Sequence, residues 1–226
     1  MPSGYKLSRI YVWEDLVRPH EIWPDTTYYI DLAWSSSSAV TSAWWTFNGN
    51  STPSFNSVWA YGGSNGKYTI AKSLGGSGSL SNYSKVRITT NFYMVVWWWY
   101  WDIWCGSLWT GNQAGNYWYQ SKIYTYNGGS WQWVLTSISD TKKTIDVVAT
   151  PSWNYTCVTE FDLTTWDMTV TLSWDASWTT TYTMTSSELS TLKSSYTFAW
   201  AWFESASSWT WTNGHKIKDI KIELWN

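Results

Sequence analysis

The chain has 226 residues, a net charge of −2 and only 13% charged side chains. Without a basic patch it lacks the feature with which proteins bind nucleic acids, so nucleic acid is excluded as a partner. Tryptophan occurs 24 times and aromatic residues make up 20% of the chain, a composition typical of folded rather than disordered proteins. The length fits a single all-β domain over residues 1–226.

No leader peptide or membrane span is recognised in the sequence. The start, MPSGYKLSRIYVWEDLVRPH, has no apolar segment after a positive charge. The aromatic run at 92–101, FYMVVWWWYW, is about half as long as the roughly 20 apolar residues of a membrane-spanning helix, and Asp102 follows it. We therefore expect no transmembrane segment. Either the chain is already mature, or it leaves its cell by lysis or by an unusual route.

Alternation of apolar and polar residues predicts strands along most of the chain, because successive side chains of a strand point to opposite faces. A hairpin is predicted around Asn127-Gly128-Gly129, whose residue types tolerate the positive φ of a tight turn. In chain order the predicted strands are YYIDLAW, KYTIAKSL, KVRITTNFYMVV, SKIYTY, QWVLTSI, KTIDVVAT, WNYTCVTEFDL, DMTVTLSWD, a strand near 179–184, SYTFAWAWF and KIKDIKIEL. The predicted fold class is all-β, with two antiparallel sheets packed face to face.

One short helix is predicted near 186–193, within TSSELSTLKSS. Thr185 followed three residues later by Glu188 fits a capping box, in which each residue binds the backbone N–H of the other.

The run at 92–101 reads as one strand that is apolar on both faces. Trp98 continues in phase with Val86 and Ile88, which assigns that row to the core between the sheets. Trp97, Trp99 and Trp101 form the other row and face outward. Three explanations stay open for this outward row: a platform on which sugars stack, a strand covered by loops of the same chain, or a contact with other copies.

The order of elements at the C-terminal end resembles the last third of the concanavalin-like jelly rolls. This group contains legume-type lectins, laminin-G-like modules and several glycoside hydrolases. The resemblance covers about 60 residues and depends on the element order and on HKIKDIKIEL. It implies a jelly-roll sandwich, and lectin-like or hydrolase-like activity as alternatives.

A glycosidase would need two carboxyl groups facing each other, about 5 to 5.5 Å apart in a retaining enzyme. AWAWFESASS resembles the strand that carries the acid/base glutamate in the xylanase-like family, so Glu204 is the fallback catalytic residue. In NFYMVV, Asn91 stands where that family has its nucleophile, and an amide cannot form the covalent intermediate. Glu160 and Asp102 are possible substitutes outside a family-like context. We therefore predict no catalytic residue and no enzyme.

No metal or cofactor is predicted. His20 and His215 are the only histidines, and their spacing supports no catalytic triad. Asp162, Asp167 and Asp175 supply oxygen ligands of the kind that calcium prefers, but no loop has the dense spacing of a calcium site.

Two further sets of residues concern the covalent state of the chain. Cys105 and Cys157 are either one disulfide or two buried thiols. Asn50, Asn82 and Asn154 begin sequences of the N-x-[ST] type, which are candidate glycosylation sites.

The predicted function is that of a non-enzymatic exterior structural protein that self-assembles, as a virion component or a subunit of a cell-surface filament or layer. The chain has more tryptophan than one sugar site requires, and its 13% of charged residues is below the roughly 25 to 35% of a typical exposed surface. Its partners would be copies of itself, through an interface at Trp97, Trp99, Trp101, Trp200 and Trp202. The alternative is a lectin-like glycan-binding module, and the third possibility is a hydrolase using Glu204.

Overall fold

The computed structural model describes two antiparallel sheets packed face to face. The described residues are 23–33, 35–49, 54–55, 60–61, 67–94, 101–109, 120–127, 132–138, 143–148, 153–173, 177–204 and 216–226. Within these ranges fifteen strands are present, and all of their pairings are antiparallel. The predicted all-β jelly-roll class is confirmed.

One sheet has eight strands, which include the first and the last described strands of the chain. They are β1 (Thr26–Asp31), β3 (Ser54–Phe55), β4 (Ala60–Tyr61), β6 (Lys85–Met94), β11 (Trp153–Asp162), β12 (Asp167–Ser173), β13 (Ser177–Thr183) and β15 (Lys216–Trp225). Their order across the sheet is β13-β12-β11-β6-β15-β4-β3, and β1 also pairs with β15.

The other sheet has seven strands. They are β2 (Trp45–Gly49), β5 (Lys67–Ser73), β7 (Trp101–Trp109), β8 (Gln120–Asn127), β9 (Gln132–Ile138), β10 (Lys143–Val148) and β14 (Phe198–Glu204). Their order is β10-β9-β8-β7-β14-β5-β2.

In the described ranges two short α-helices and one 3-10 helix (Ser79–Asn82) accompany the sheets. The sequence did not predict α1 (Ser37–Ser42), which begins where the Ser36 hydroxyl accepts the Ala39 N–H. The predicted helix is confirmed as α2 (Ser186–Ser195). Its capping box is present, because Thr185 accepts the Glu188 N–H and the Glu188 carboxylate accepts the Thr185 N–H at 2.7 Å.

The core lies between the sheets, and the alternation of strand residues determines which side chains enter it. On β6, Val86, Ile88, Thr90 and Phe92 are buried, while Arg87, Thr89 and Asn91 alternate with them on the outer face and are half-buried. On β12 the same alternation buries Met168 and Val170. The predicted core faces of these two strands are confirmed.

The prediction of one strand through 92–101 is wrong. Strand β6 ends at Met94 in one sheet and β7 begins at Trp101 in the other, so the chain changes sheet between them. Trp97, Trp98 and Trp99 lie outside the described residues. The sequence hides this change of sheet, because an unbroken aromatic run has no glycine, proline or polar residue to mark a strand end.

A bulge in β7 brings the consecutive residues Cys105 and Gly106 into the core. The pairing with β14 shifts between Trp200–Ser107 and Trp202–Trp104, which inserts an extra residue into β7. A Cβ on Gly106 would lie 2.7 Å from the Thr159 hydroxyl oxygen and 3.2 Å from the Ile88 Cβ. Glycine is therefore required where this bulge touches the opposite sheet.

Candidate functional site

Three tryptophans in the described part of the chain expose most or much of their surface to solvent. The exposed fractions are 83% for Trp23, 84% for Trp44 and 41% for Trp166. A buried polar group or an exposed large apolar one is informative about function, whereas a buried apolar side chain is expected. These exposed indoles are therefore the first candidates for ligand contact.

The three tryptophans lie at the same end of the sandwich. Trp23 precedes β1 and Trp166 lies in the turn between β11 and β12, and strand pairing puts both at the end where β15 finishes. Trp44 precedes β2, at the end of the other sheet where β5 finishes. Helix α2 joins these two ends, because it begins after β13 and ends before β14.

Trp166 has a left-handed backbone, with φ of +70°. Its turn is fixed by the Asp162 carboxylate, which accepts the backbone N–H groups of Thr164 and Thr165 at 2.8 Å each. The Trp166 carbonyl accepts the Met184 N–H at 2.7 Å. A left-handed conformation costs a residue with a Cβ roughly 1–2 kcal/mol, which is why glycine is usual there.

The Asp162 carboxylate, which organises the turn of Trp166, is held in its charged form. Burial by itself raises the pKa of Asp162, but the hydrogen bonds from Thr164 and Thr165 outweigh it, and the pKa lies below its ordinary value. At neutral pH the turn that presents Trp166 is therefore anchored by an ionised acceptor, which makes stronger hydrogen bonds than a neutral one.

Trp44 also has a left-handed backbone, with φ of +62°. It follows Ala43, the C-cap residue of α1, at the position where helices commonly end on glycine. Its N–H donates to the Thr41 carbonyl at 3.0 Å. Its carbonyl accepts a 3.1 Å hydrogen bond from the Lys72 ammonium, whose pKa is lowered by burial.

These two positions share an unusual combination of features. In each, the sequence holds a large aromatic residue where the backbone favours glycine, and the side chain is exposed rather than used in the core. Backbone strain of this kind is concentrated at functional sites. Chemically, an exposed indole offers a flat apolar face with one N–H donor at its edge.

The predicted interface residues are divided between described and undescribed segments. Trp97 and Trp99 lie outside the described residues, and Trp101 is the first residue of β7. Trp200 and Trp202 lie on β14, at positions that alternate with the buried residues Ala199 and Ala201. They stay predictions, because the structure tests no contact with another chain.

Among the residues compared with a glycosidase pair, Asn91 and Glu160 do not come together with Glu204, whereas Asp102 lies on the neighbouring strand β7, one position beyond the Phe203–Ile103 pair. Glu204 ends β14 in the seven-stranded sheet, whereas Asn91 and Glu160 lie on the outer face of the eight-stranded sheet. There Asn91 donates to the Asp219 carboxylate at 2.6 Å, and Glu160 binds Arg87 at 2.8 Å.

The two cysteines face each other across the core. Cys105 on β7 and Cys157 on β11 are buried and are present as thiols. Burial raises the pKa of Cys105 well above its ordinary value, and a hydrogen bond with Cys157 raises it further. Two of the sequons are accessible: Asn82 and Asn154 are exposed, whereas Asn50 lies outside the described residues.

The described ranges contain neither a cluster of metal ligands nor a helix that could span a membrane. No group of three or more His, Cys, Asp or Glu side chains there could hold a metal ion. In the same ranges no helix is long and apolar enough to cross a membrane.

Comparison with solved structures identifies similar folds. Peanut lectin is 12% identical, with a TM-score of 0.61 over 89% of this chain and 98% of that one. Lectin II from Ulex europaeus is 9% identical, with a TM-score of 0.59 over 90% of this chain and 100% of that one. The CBM2 module of the evolved Dit protein of Lactobacillus casei BL23 phage J-1 is 10% identical, with a TM-score of 0.59 over 87% and 94%. No family model and no curated protein matches the chain.

The chain therefore has the concanavalin-like fold that its C-terminal element order predicts. Sequence identities this low show the fold, while function has to be argued from the site. The exposed residues Trp44 and Trp166 were not among the residues selected from the sequence. A signal was present for one of them, since Trp166 stands in the short polar turn LTTWD between two predicted strands.

Proposed function

We propose that this protein is a non-enzymatic, lectin-like glycan-binding module that stacks sugar rings on exposed tryptophans at one end of its sandwich. The observation that carries the proposal is the exposure of Trp44 and Trp166 from left-handed backbone positions. The fold supports it, because the similar structures include lectins and a carbohydrate-binding module.

The energetics of the two positions favour a ligand. A tryptophan held at positive φ costs the folded state roughly 1–2 kcal/mol, and an indole that is 84% exposed, as at Trp44, recovers little of that by burial. The apolar C–H face of a sugar ring would cover such an indole, and its hydroxyls would stay in water. Sugar binding thus gives these two side chains a role that folding does not.

We place the module outside the cell, on a cell surface or a virion. The exposed sequons at Asn82 and Asn154 and the relation to lectin folds support this location. Glycosylated residues have to be accessible on the surface of a secreted protein.

A glycan array compares the wild-type chain with two single variants, Trp44→Gly and Trp166→Gly. Glycine removes the indole and suits the backbone at both positions, so loss of binding is not confused with loss of fold. We expect at least one variant to lose about tenfold or more in affinity, which corresponds to roughly 1.4 kcal/mol. The control is Trp23→Gly, at the third exposed tryptophan, which the proposal does not assign to the site.

The control variant should bind like the wild type. The proposal is contradicted when the wild-type chain binds no glycan on the array, or when both Trp44→Gly and Trp166→Gly bind as the wild type does.

Self-assembly through aromatic surfaces remains the second candidate, favoured by the same exposed tryptophans, because protein interfaces are enriched in tryptophan. Light scattering at micromolar concentration separates the two functions. A glycan-binding module should be a monomer or a small oligomer whose mass is unchanged in Trp44→Gly and Trp166→Gly. Large assemblies that dissociate in these variants would favour the structural function.

A further inference from the structure

The outer face of the eight-stranded sheet carries two straight rows of side chains that cross four strands at right angles. Strand pairing aligns Thr169, Glu160, Arg87 and Glu223 in the first row, and Thr171, Val158, Thr89 and Lys221 in the second. These eight residues line an open groove with a volume of about 390 Å³. The groove is separate from the exposed tryptophans proposed above as the glycan site.

The charged groups of the groove are paired with one another. The Glu160 carboxylate accepts hydrogen bonds from the Arg87 side chain, from Nε and from Nη2, at 2.8 Å each. Lys221 Nζ lies 2.7 Å from the Glu223 carboxylate, and Arg87 Nη1 lies 3.9 Å from it. Two cations and two anions therefore cancel, and the lining has no net charge.

The row of charges is also fixed in place by an aromatic ring. The Arg87 guanidinium lies 4.9 Å and the Lys85 ammonium 4.6 Å from the centre of the Trp225 ring. The Glu223 side chain is only 10% exposed, so its carboxylate cannot reorient freely toward solvent. A binding surface whose polar groups are already held in position loses less conformational entropy when a ligand arrives.

This chemistry favours a polyhydroxylated, uncharged ligand. An ionic ligand would have to displace one partner of an existing pair, which costs the energy of that pair. The hydroxyl groups of such a ligand can instead form additional hydrogen bonds with groups that are already paired. Carboxylate oxygens accept several hydrogen bonds, guanidinium nitrogens donate several, and the hydroxyls of Thr89, Thr169 and Thr171 do both. Val158 adds an apolar surface to the floor.

The shape of the groove favours a chain rather than a single sugar. Neighbouring strands lie about 4.8 Å apart, so equivalent positions repeat across the sheet at an interval close to the length of one pyranose unit. The second row continues from Lys221 to its strand partner Tyr29 on β1. Tyr29 is 55% exposed and gives the row an aromatic ring at one end.

We propose that this groove is a second glycan-binding surface, which binds an internal segment of a linear, uncharged polysaccharide lying across the strands. The inference depends on the proposed function for the class of ligand only, since no residue is shared with the tryptophan site. A module with two such surfaces would bind a polymer at two points and gain avidity from the connection.

The test is affinity electrophoresis in gels that contain a linear glucan, mannan or xylan, with a sulfated polysaccharide as the charged comparison. Thr89→Met fills the floor of the groove without adding charge, and Tyr29→Ala removes the exposed ring. We expect each variant to lose about tenfold or more in affinity for at least one uncharged polymer, which is measured as weaker retention in the gel. The matched control is Thr183→Met, an exposed threonine of β13 that does not line the groove.

Tyr29→Ala keeps the test valid if Thr89→Met destabilises the fold, because Tyr29 is exposed. The proposal is overturned when both groove variants are retained like the wild type, or when the sulfated polymer alone is retained. It is also overturned when the chain binds short glycans on the array, through Trp44 or Trp166, but no uncharged polysaccharide. In that last case the proposed function stands and only the groove fails. Retention that survives Trp44→Gly and Trp166→Gly but is lost in Tyr29→Ala supports the groove directly.

Discussion

At the scale of single residues, Trp44 and Trp166 each have a large side chain in a backbone conformation that favours glycine. Both have positive φ, which a Cβ makes unfavourable by roughly 1–2 kcal/mol. The hydrogen bonds that hold these conformations come from the surroundings: the Asp162 turn and Met184 for Trp166, and Lys72 for Trp44.

This geometry predicts an unusual order of stabilities. Trp166→Gly should unfold at a higher urea concentration than Trp166→Ala, with a difference in the free energy of unfolding of about 1 kcal/mol, because alanine keeps the strained Cβ. The same pair of substitutions at Ser190, an exposed residue within helix α2, should show the opposite order, since glycine in a helix adds entropy to the unfolded chain without relieving any strain. Equal stabilities of the glycine and alanine variants at position 166 would contradict the left-handed assignment.

At the scale of elements, the sequence predicts a strand correctly where polar residues alternate with apolar ones along it or follow its end. Strand β12 and the first half of β6 alternate polar and apolar residues, and their core faces were predicted correctly. The end of β6 was not, because Met94 is followed by residues that are apolar in both phases and so give no sign of a turn. Helix α1 was missed because six residues are too few to show a helical period.

The bulge in β7 is another element that the sequence does not reveal, and it determines the environment of Cys105. The bulge turns Cys105 toward Cys157 of the opposite sheet, where the two thiols share a hydrogen bond. Packing of the two sheets against each other, and not the spacing of the cysteines in the chain, brings them together. Whether they are bonded was left open by the sequence, and the contact between them makes the bond the better prediction under oxidising conditions.

We therefore predict that oxidised glutathione converts the two thiols into a disulfide between the sheets. Closing a loop of about 50 residues should stabilise the fold by up to roughly 4 kcal/mol in the chain-entropy model. The measurement is intact mass after alkylation in denaturant without reductant, on chains treated with oxidised or with reduced glutathione. Two alkyl groups on the oxidised sample would exclude the bond, and the reduced sample is the control that should carry both.

At the scale of the whole molecule, the fold could be predicted from the sequence more fully than the site. The order of strands, α2 and KIKDIKIEL sufficed to predict a concanavalin-like sandwich. The exposed aromatic site could not be predicted, because exposure of Trp44 and Trp166 follows from two local backbone conformations and from which turns they occupy. Counting tryptophans instead pointed to Trp97, Trp99, Trp101, Trp200 and Trp202, which stand in strand-like sequence.

If sugar covers the indoles of Trp44 and Trp166, bound glycan should protect both side chains from chemical oxidation, and this protection can be measured for each residue. The chain would be treated with N-bromosuccinimide, with and without the strongest glycan from the array, and the oxidised peptides would be measured by mass spectrometry. We expect glycan to protect Trp44, Trp166 or both, while Trp23 is oxidised equally in both samples. Unchanged oxidation of Trp44 and Trp166 in a sample saturated with glycan, with protection only at Trp97, Trp99, Trp101, Trp200 or Trp202, would contradict this expectation.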